Sequence, residues 1–135
     1  MADIGQLDDF LQGSDITFSF KGKQYDVAPS ARDVLEFHRD YQNSINSDKA
    51  MDDVATWARV CPLLGSSFNK KTLEITGGIL GELIEAGATY TQLERIVSSV
   101  HFKYVQGDDL AKAYFETGNL GKALKAARGE TTNDD

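Results

Sequence analysis

The chain has 135 residues, 26% of them charged and 41% hydrophobic, with a net charge of −7. That length holds one domain with a real core, the composition is that of an ordinary folded chain, and no run approaches the ~18 apolar residues that span a membrane. The seven excess acids lie at the ends, Asp3, Asp8, Asp9 and Asp15 in residues 1–15 and Glu130, Asp134 and Asp135 in residues 130–135, while residues 16–129 balance 14 acids against 14 bases. A neutral body argues against a nucleic-acid partner, because phosphate contact needs a basic surface. The N-terminus has no basic region followed by an apolar run, so no secretory signal is expected. One cysteine, Cys61, excludes an internal disulfide and fits a reducing cytoplasm.

Ile4, Leu7, Phe10 and Leu11 fall at helical spacing and predict a short N-terminal helix ended by Gly13. Ile16, Phe18 and Phe20 alternate with polar residues, as do Tyr25 and Val27 beyond Lys21-Gly22-Lys23. Period-two alternation on both sides of a glycine turn predicts a β-hairpin. Two strands are marginal alone, so their apolar face must lie on helices or on another chain. Ser30 then caps a first long helix with Asp33 in the capping-box position. Val34, Leu35, Phe37, His38 and Tyr41 give it a wide apolar stripe, and residues 43–48 read as a polar turn that stops it.

The stretch from Ser47 to Gly65 holds the only Trp and the only Cys. It carries Met51, Val54, Ala55, Ala58 and Cys61 on one helical stripe and Trp57, Val60 and Leu64 on another. Two stripes predict a central helix surrounded by other elements, capped by Ser47, bent or ended by Pro62 near Cys61, and stopped at Gly65. Ser66–Lys71 reads as a polar link. Leu73, Ile75, Ile79, Leu80, Leu83 and Ile84 then predict a helix over residues 72–86, weakened by Gly77, Gly78 and Gly81 at about 1 kcal/mol each. Thr91 with Glu94 predicts a capping box for the next helix, which Gly107 stops. Asp108-Asp109 opens a further helix, Thr117-Gly118-Asn119 breaks it before the basic piece LGKALKAARG, and residues 129–135 are expected to be a disordered acidic tail. The fold class is therefore mainly α: a single helical domain over residues 1–128 with one N-terminal two-stranded hairpin at about residues 16–27.

No catalytic, metal or cofactor site emerges, and an enzyme is the weakest reading. His38 and His101 sit in no metal spacing. Gly77-Gly78-Ile79-Leu80-Gly81 is followed by no Lys-Ser/Thr, is preceded by no expected strand and lies inside an apolar periodic stretch, so it reads as structure rather than a phosphate loop. Asp52-Asp53 and Asp108-Asp109 open helices, where acids complement the dipole. Ser66-Ser67 and Ser98-Ser99 have no basic partner nearby in sequence, and Cys61 beside Trp57 and Val60 reads as a buried small hydrophobe. What remains is apolar surface on the hairpin and the terminal helices, which points to partner binding. Its predicted contact residues are Phe18, Phe20, Tyr25, Leu110, Tyr114, Phe115, Leu120 and Leu124.

Several short motifs, in order, resemble the tail assembly chaperones of long-tailed, siphovirus-type bacteriophages, especially those infecting actinobacteria. They are LDDFL near the start, Gly22-Lys23-Gln24-Tyr25-Asp26-Val27 in the hairpin, Pro29-Ser30-Ala31 at a helix opening, Leu63-Leu64-Gly65, then EAGATYTQL and GDDLAKAYFETG. The likeness covers nearly the whole chain, and its order and spacing carry it. Two departures stand out: fewer prolines over residues 63–70, and Phe at position 115 where such chains tend to have Trp nearby. The resemblance implies a chaperone without cofactors that acts in the host cell cytoplasm and is absent from the mature virion. Its partner would be the tape measure protein, kept soluble while tail tube subunits polymerise around it. The tail tube protein, further copies of this chain and a longer product of programmed frameshifting are the other partners implied. The alternative class is a small phage-encoded regulatory or ligand-binding helical domain.

Overall fold

The alternation around Lys21-Gly22 folds into an antiparallel hairpin, β1 (Ile16–Phe20) and β2 (Lys23–Val27), in a computed structural model that describes residues 2, 3, 5, 7, 16–47 and 52–129. Phe18 faces Tyr25 and Phe20 faces Lys23 across the ladder. Lys21 and Gly22 both have positive φ, 51° and 82°, the backbone of a tight turn whose twist matches the strands. Two bonds pin this turn to the helical body: the Lys21 ammonium donates to the Ala86 carbonyl and Lys23 pairs with Glu82. Tyr25 and Val27 are buried. Of the predicted helix at Ile4–Leu11 only residues 5 and 7 are described, with Leu7 exposed, and residues 130–135 of the predicted tail lie outside the described residues.

Six helices follow among the described residues: α1 (Ala31–Asn46), α2 (Asp53–Val60), α3 (Gly78–Glu85), α4 (Tyr90–Val105), α5 (Asp108–Thr117) and α6 (Leu120–Ala127). The fold is mainly helical with an N-terminal hairpin, as the sequence predicts. Ser30 caps α1 by accepting from the Asp33 N–H at 3.1 Å. The helix runs past the expected turn to Asn46, because Ser44 returns its hydroxyl to the Asp40 carbonyl and Ser47 closes the end on the Asn43 carbonyl. Phe37 is buried, whereas Leu35 is exposed, so the stripe on α1 is narrower than its sequence suggests.

The stretch predicted as one central helix is shorter and divided. Asp52, not Ser47, caps α2 through the Ala55 N–H. Pro62 turns the chain into a 3₁₀ turn (Cys61–Leu64) that Gly65 ends with φ 69°. Val60, Cys61, Leu63 and Leu64 of this corner are among the most buried side chains, but Val54 is 40% exposed. The helix surrounded by others is α4, which buries Leu93, Ile96, Val97 and Val100 in the main core. On its far end Phe102 packs with Leu110, Ala113, Tyr114, Ala123 and Leu124 of α5 and α6 in a second, smaller cluster.

The region after Gly65 departs most from expectation. Residues 66–76 are neither link nor helix but a second antiparallel hairpin, β3 (Ser67–Phe68) with β4 (Ile75–Thr76). The helix begins only after Gly77, because Gly77 and Gly78 adopt φ 72° and 62°. At Gly78 the reason is proximity: a Cβ there would lie 2.3 Å from the Gly65 carbonyl. With glycine at the helix start there is no side-chain cap, and Ser66 supplies one from across the crossing. Its hydroxyl accepts the Leu80 N–H at 3.2 Å and donates to the Gly77 carbonyl at 2.8 Å. The cap of α4 is Thr89 with Gln92, two residues ahead of the predicted Thr91 and Glu94. Glu94 instead accepts hydrogen bonds from Ser98 and from the Tyr114 hydroxyl of α5.

The crossing gives two stability predictions. Gly78→Ala drives its added Cβ into the Gly65 and Leu64 backbone and is expected to destabilise the fold by at least about 2 kcal/mol. Ser66→Ala, which strands a buried N–H, is expected to cost about 1–3 kcal/mol. Urea unfolding followed by Trp57 fluorescence measures both.

Candidate functional site

Three segments that are separate in sequence enclose an apolar groove of about 410 Å³, lined by Asp53, Val54, Trp57, Phe68, Leu73, Ile75, Tyr90 and Leu93. Each wall has a local cause. The Asp52 cap starts α2 so that Asp53, Val54 and Trp57 lie on one side of its first turns. The Thr89–Gln92 capping box starts α4 at Tyr90, which stays 66% exposed. The Trp57 and Tyr90 rings stack almost parallel, 5.8 Å apart at 5°. Leu93 closes the floor as part of the core, with Phe68 and Ile75 half-buried beside it.

The remaining wall is the β3–β4 turn. The Asn69 side-chain oxygen accepts from the N–H groups of Lys71 and Thr72 at 2.8 and 3.1 Å, and the Asn69 backbone carbonyl accepts the Leu73 N–H at 2.7 Å. This clasp holds Leu73 at φ 65°, a left-handed conformation rare for a bulky residue, with its side chain 57% exposed. Exposed Val54, Leu73 and Tyr90 beside a partly buried Trp57 form apolar surface of the kind that marks a binding site more often than a defect. A single carboxylate, Asp53, stands in the lining.

The predicted contact residues divide into three groups. Tyr25, Leu110 and Tyr114 are buried and belong to the cores of the fold. Phe18, Phe20 and Phe115 line one cavity beside β1, where Phe18 stacks on Tyr25 at 5.2 Å and approaches Phe115 at 6.4 Å. Cavities of about 280 and 440 Å³ flank that contact. Leu124 packs on the second cluster and Leu120 is exposed on α6, and neither lines those cavities. None of the eight lies in the groove at Trp57 and Tyr90. Sequence periodicity missed that groove because it assigned Leu73 and Ile75 to a helix stripe; Trp57, on an apolar stripe of the predicted central helix, does pack on the core and also lines the groove. Tyr90 directly behind a Thr cap was the available signal, since the first residue of a helix is seldom buried.

Several buried polar and titratable groups lie within the fold. Burial pushes the Cys61 thiol up to about 11, which keeps it protonated. His38 and His101, far apart in sequence, both set a ring edge against Phe37. Burial and the nearby Arg59 charge push His101 down to about 4. Its Nδ1 has no hydrogen-bond partner among the described residues. The Arg59 guanidinium, itself buried, donates to Ser44 and Thr56 and lies over the Tyr41 ring. A strand does precede Gly77, against expectation, but Ser66 occupies the helix start and no Lys-Ser/Thr follows. No group of three His, Cys, Asp or Glu among the described residues could hold a metal ion, and none of the described helices is long and apolar enough to cross a membrane.

Residues 5–135 match the family described as a domain of unknown function, DUF7426, and the chain belongs to that family. No curated protein and no solved structure matches it.

The buried imidazole yields a pH prediction. In the fold the neutral ring is favoured, whereas the unfolded chain takes up its proton near 6.5, so stability present above 6.5 is lost as pH falls toward about 4. Between neutral pH and about pH 4.5, His101→Phe is expected to lose about 2 kcal/mol less stability than the wild type. Urea unfolding at the two pH values measures the difference.

Proposed function

We propose that this member of the DUF7426 family is a non-enzymatic tail assembly chaperone that binds helical segments of a phage tape measure protein. The observation that carries the reading is the exposed groove walled by the Trp57–Tyr90 stack, Val54 and Leu73. A tape measure protein is long, helical and prone to aggregate. A shallow apolar groove covers one stripe of such a helix without a deep anchor. Binding of that kind is moderate and reversible, as displacement by tail tube subunits requires, because affinity follows anchor quality more than area. The order of motifs from LDDFL to GDDLAKAYFETG supports the same assignment.

In this reading the protein works in the cytoplasm of the infected cell and does not remain in the virion. The acidic ends, with Asp3, Asp8, Asp9 and Asp15 at one and Glu130, Asp134 and Asp135 at the other, keep a coated complex soluble by mutual repulsion. Further copies of the chain, a longer frameshifted product and the tail tube protein are the additional partners the reading involves.

The test is co-expression with the tape measure protein of the same phage, followed by a solubility assay and size-exclusion chromatography. A soluble tape measure that co-elutes with this chain is expected. Equal aggregation with and without it, also when the longer product is supplied, overturns the reading. Tyr90→Ala removes an exposed ring with little effect on the core and is expected to weaken the complex by about 1–2 kcal/mol, measured by titration calorimetry.

A further inference from the structure

We propose that the groove accepts one kind of occupant: an amphipathic helix whose aliphatic stripe is flanked by Lys or Arg, with Leu73 as the side chain that enters the stripe and Asp53 as the partner of the flanking cation. This deepens the binding reading above and rests on it.

Leu73 suits neither its backbone nor its surroundings as an isolated residue. A left-handed φ of 65° is one that glycine holds without penalty and leucine does not. The Asn69 clasp imposes it through three hydrogen bonds, so the conformation is determined by the turn and not by the side chain. Nor does the side chain gain by burial, since it is more than half exposed. A residue that is costly on both counts and stands at the rim of an apolar groove gains its return when something covers it. Strained positions held by an over-determined turn are found at ligand clamps for this reason.

The geometry also selects the form of the occupant. β3 and β4 are two residues each and already pair with one another, so an extended peptide would find little main chain to pair with. A helix has satisfied its own backbone and needs only side-chain contact, which the groove offers on both walls. Charge then sets its facing. Asp53 is the one charged residue in the lining, and the Trp57 and Tyr90 faces beside it also attract cations. Lys70 and Lys71 belong to the turn, so the cationic flank of the occupant lies on the α2 side.

Trp57 is the only tryptophan in the chain and lines the groove, so its emission reports occupancy directly. The probe is a synthetic helical peptide of about 20 residues, long enough to hold helix in water, with a leucine stripe flanked by lysines and no Trp or Tyr. Its twin carries glutamates in place of the lysines. The lysine peptide is expected to bind at least about five-fold more tightly at low salt, and Asp53→Asn is expected to remove that preference. Leu73→Gly is expected to weaken the lysine peptide about ten-fold while raising the melting temperature, because glycine relieves the backbone. Equal or tighter binding of the glutamate peptide overturns the proposal. So does unchanged binding by Leu73→Gly, or a Trp57 response that depends on protein concentration alone, which would make a second copy the occupant. If Leu73→Gly keeps the tape measure protein as soluble as the wild type does, the chaperone reading stands and this proposal falls. If neither peptide binds and the tape measure aggregates with the wild-type chain, both fall.

Discussion

Gly78 meets Gly65 backbone to backbone, and the rest of the fold is arranged around that crossing. Any side chain at position 78 would enter the space of the Gly65 carbonyl. Ser66 fastens the crossing by serving as the N-terminal cap of α3, a helix whose own cap position is glycine. Because the chain can approach itself this closely, the 3₁₀ turn sinks Cys61, Leu63 and Leu64 into the core, and Leu80 reaches the same core from α3. α3 in turn receives the first hairpin through Lys21 and Lys23. The same crossing projects β3 and β4 outward beside α2. The groove is therefore a consequence of how the core closes and not a separate addition to it.

Much of this architecture is legible in the residues. Alternation gave the first hairpin in full, because period two over ten residues is hard to reproduce by chance and Lys21-Gly22 supplies the turn. Ser30, Asp108-Asp109, Gly118 and Asn119 mark helix ends by local chemistry, and local chemistry is what a sequence states openly. The second hairpin was not legible. Its strands are two residues long, too short for any period, and Leu73, Ile75, Ile79, Leu80 and Leu83 imitate a helical stripe across the boundary. The three nearby glycines were the contrary sign, but their meaning depends on Gly65, more than ten residues away. A cap donated by Ser66 from another loop is equally invisible locally. At α4 the fold uses Thr89 with Gln92 in place of the predicted Thr91 with Glu94, and Glu94 accepts from the Tyr114 hydroxyl instead.

The candidate site follows the same division. Sequence reasoning sought exposed apolar residues on the hairpin and terminal helices, and the fold absorbs Tyr25, Leu110 and Tyr114 into its cores. A separate exposed apolar surface lies where a second hairpin was not expected, on Leu73, Val54 and Tyr90 with Trp57 behind them. These side chains come from three segments and share a face only once the crossing has formed. Their exposure stabilises nothing in the isolated chain, and at Leu73 it coincides with an unfavourable backbone. A surface that is costly to keep and open to solvent is what a reversible binding protein requires, since its apolar area must be available before the partner arrives.

Hydrogen–deuterium exchange on the chain alone and in complex with the tape measure protein shows whether the groove is the surface that a partner covers. New protection is expected at the start of α2, in the β3–β4 turn and over the first turn of α4, with β1, α5 and α6 unchanged. Protection confined to β1, α5 and α6, with the groove left as open as in the free chain, would contradict it.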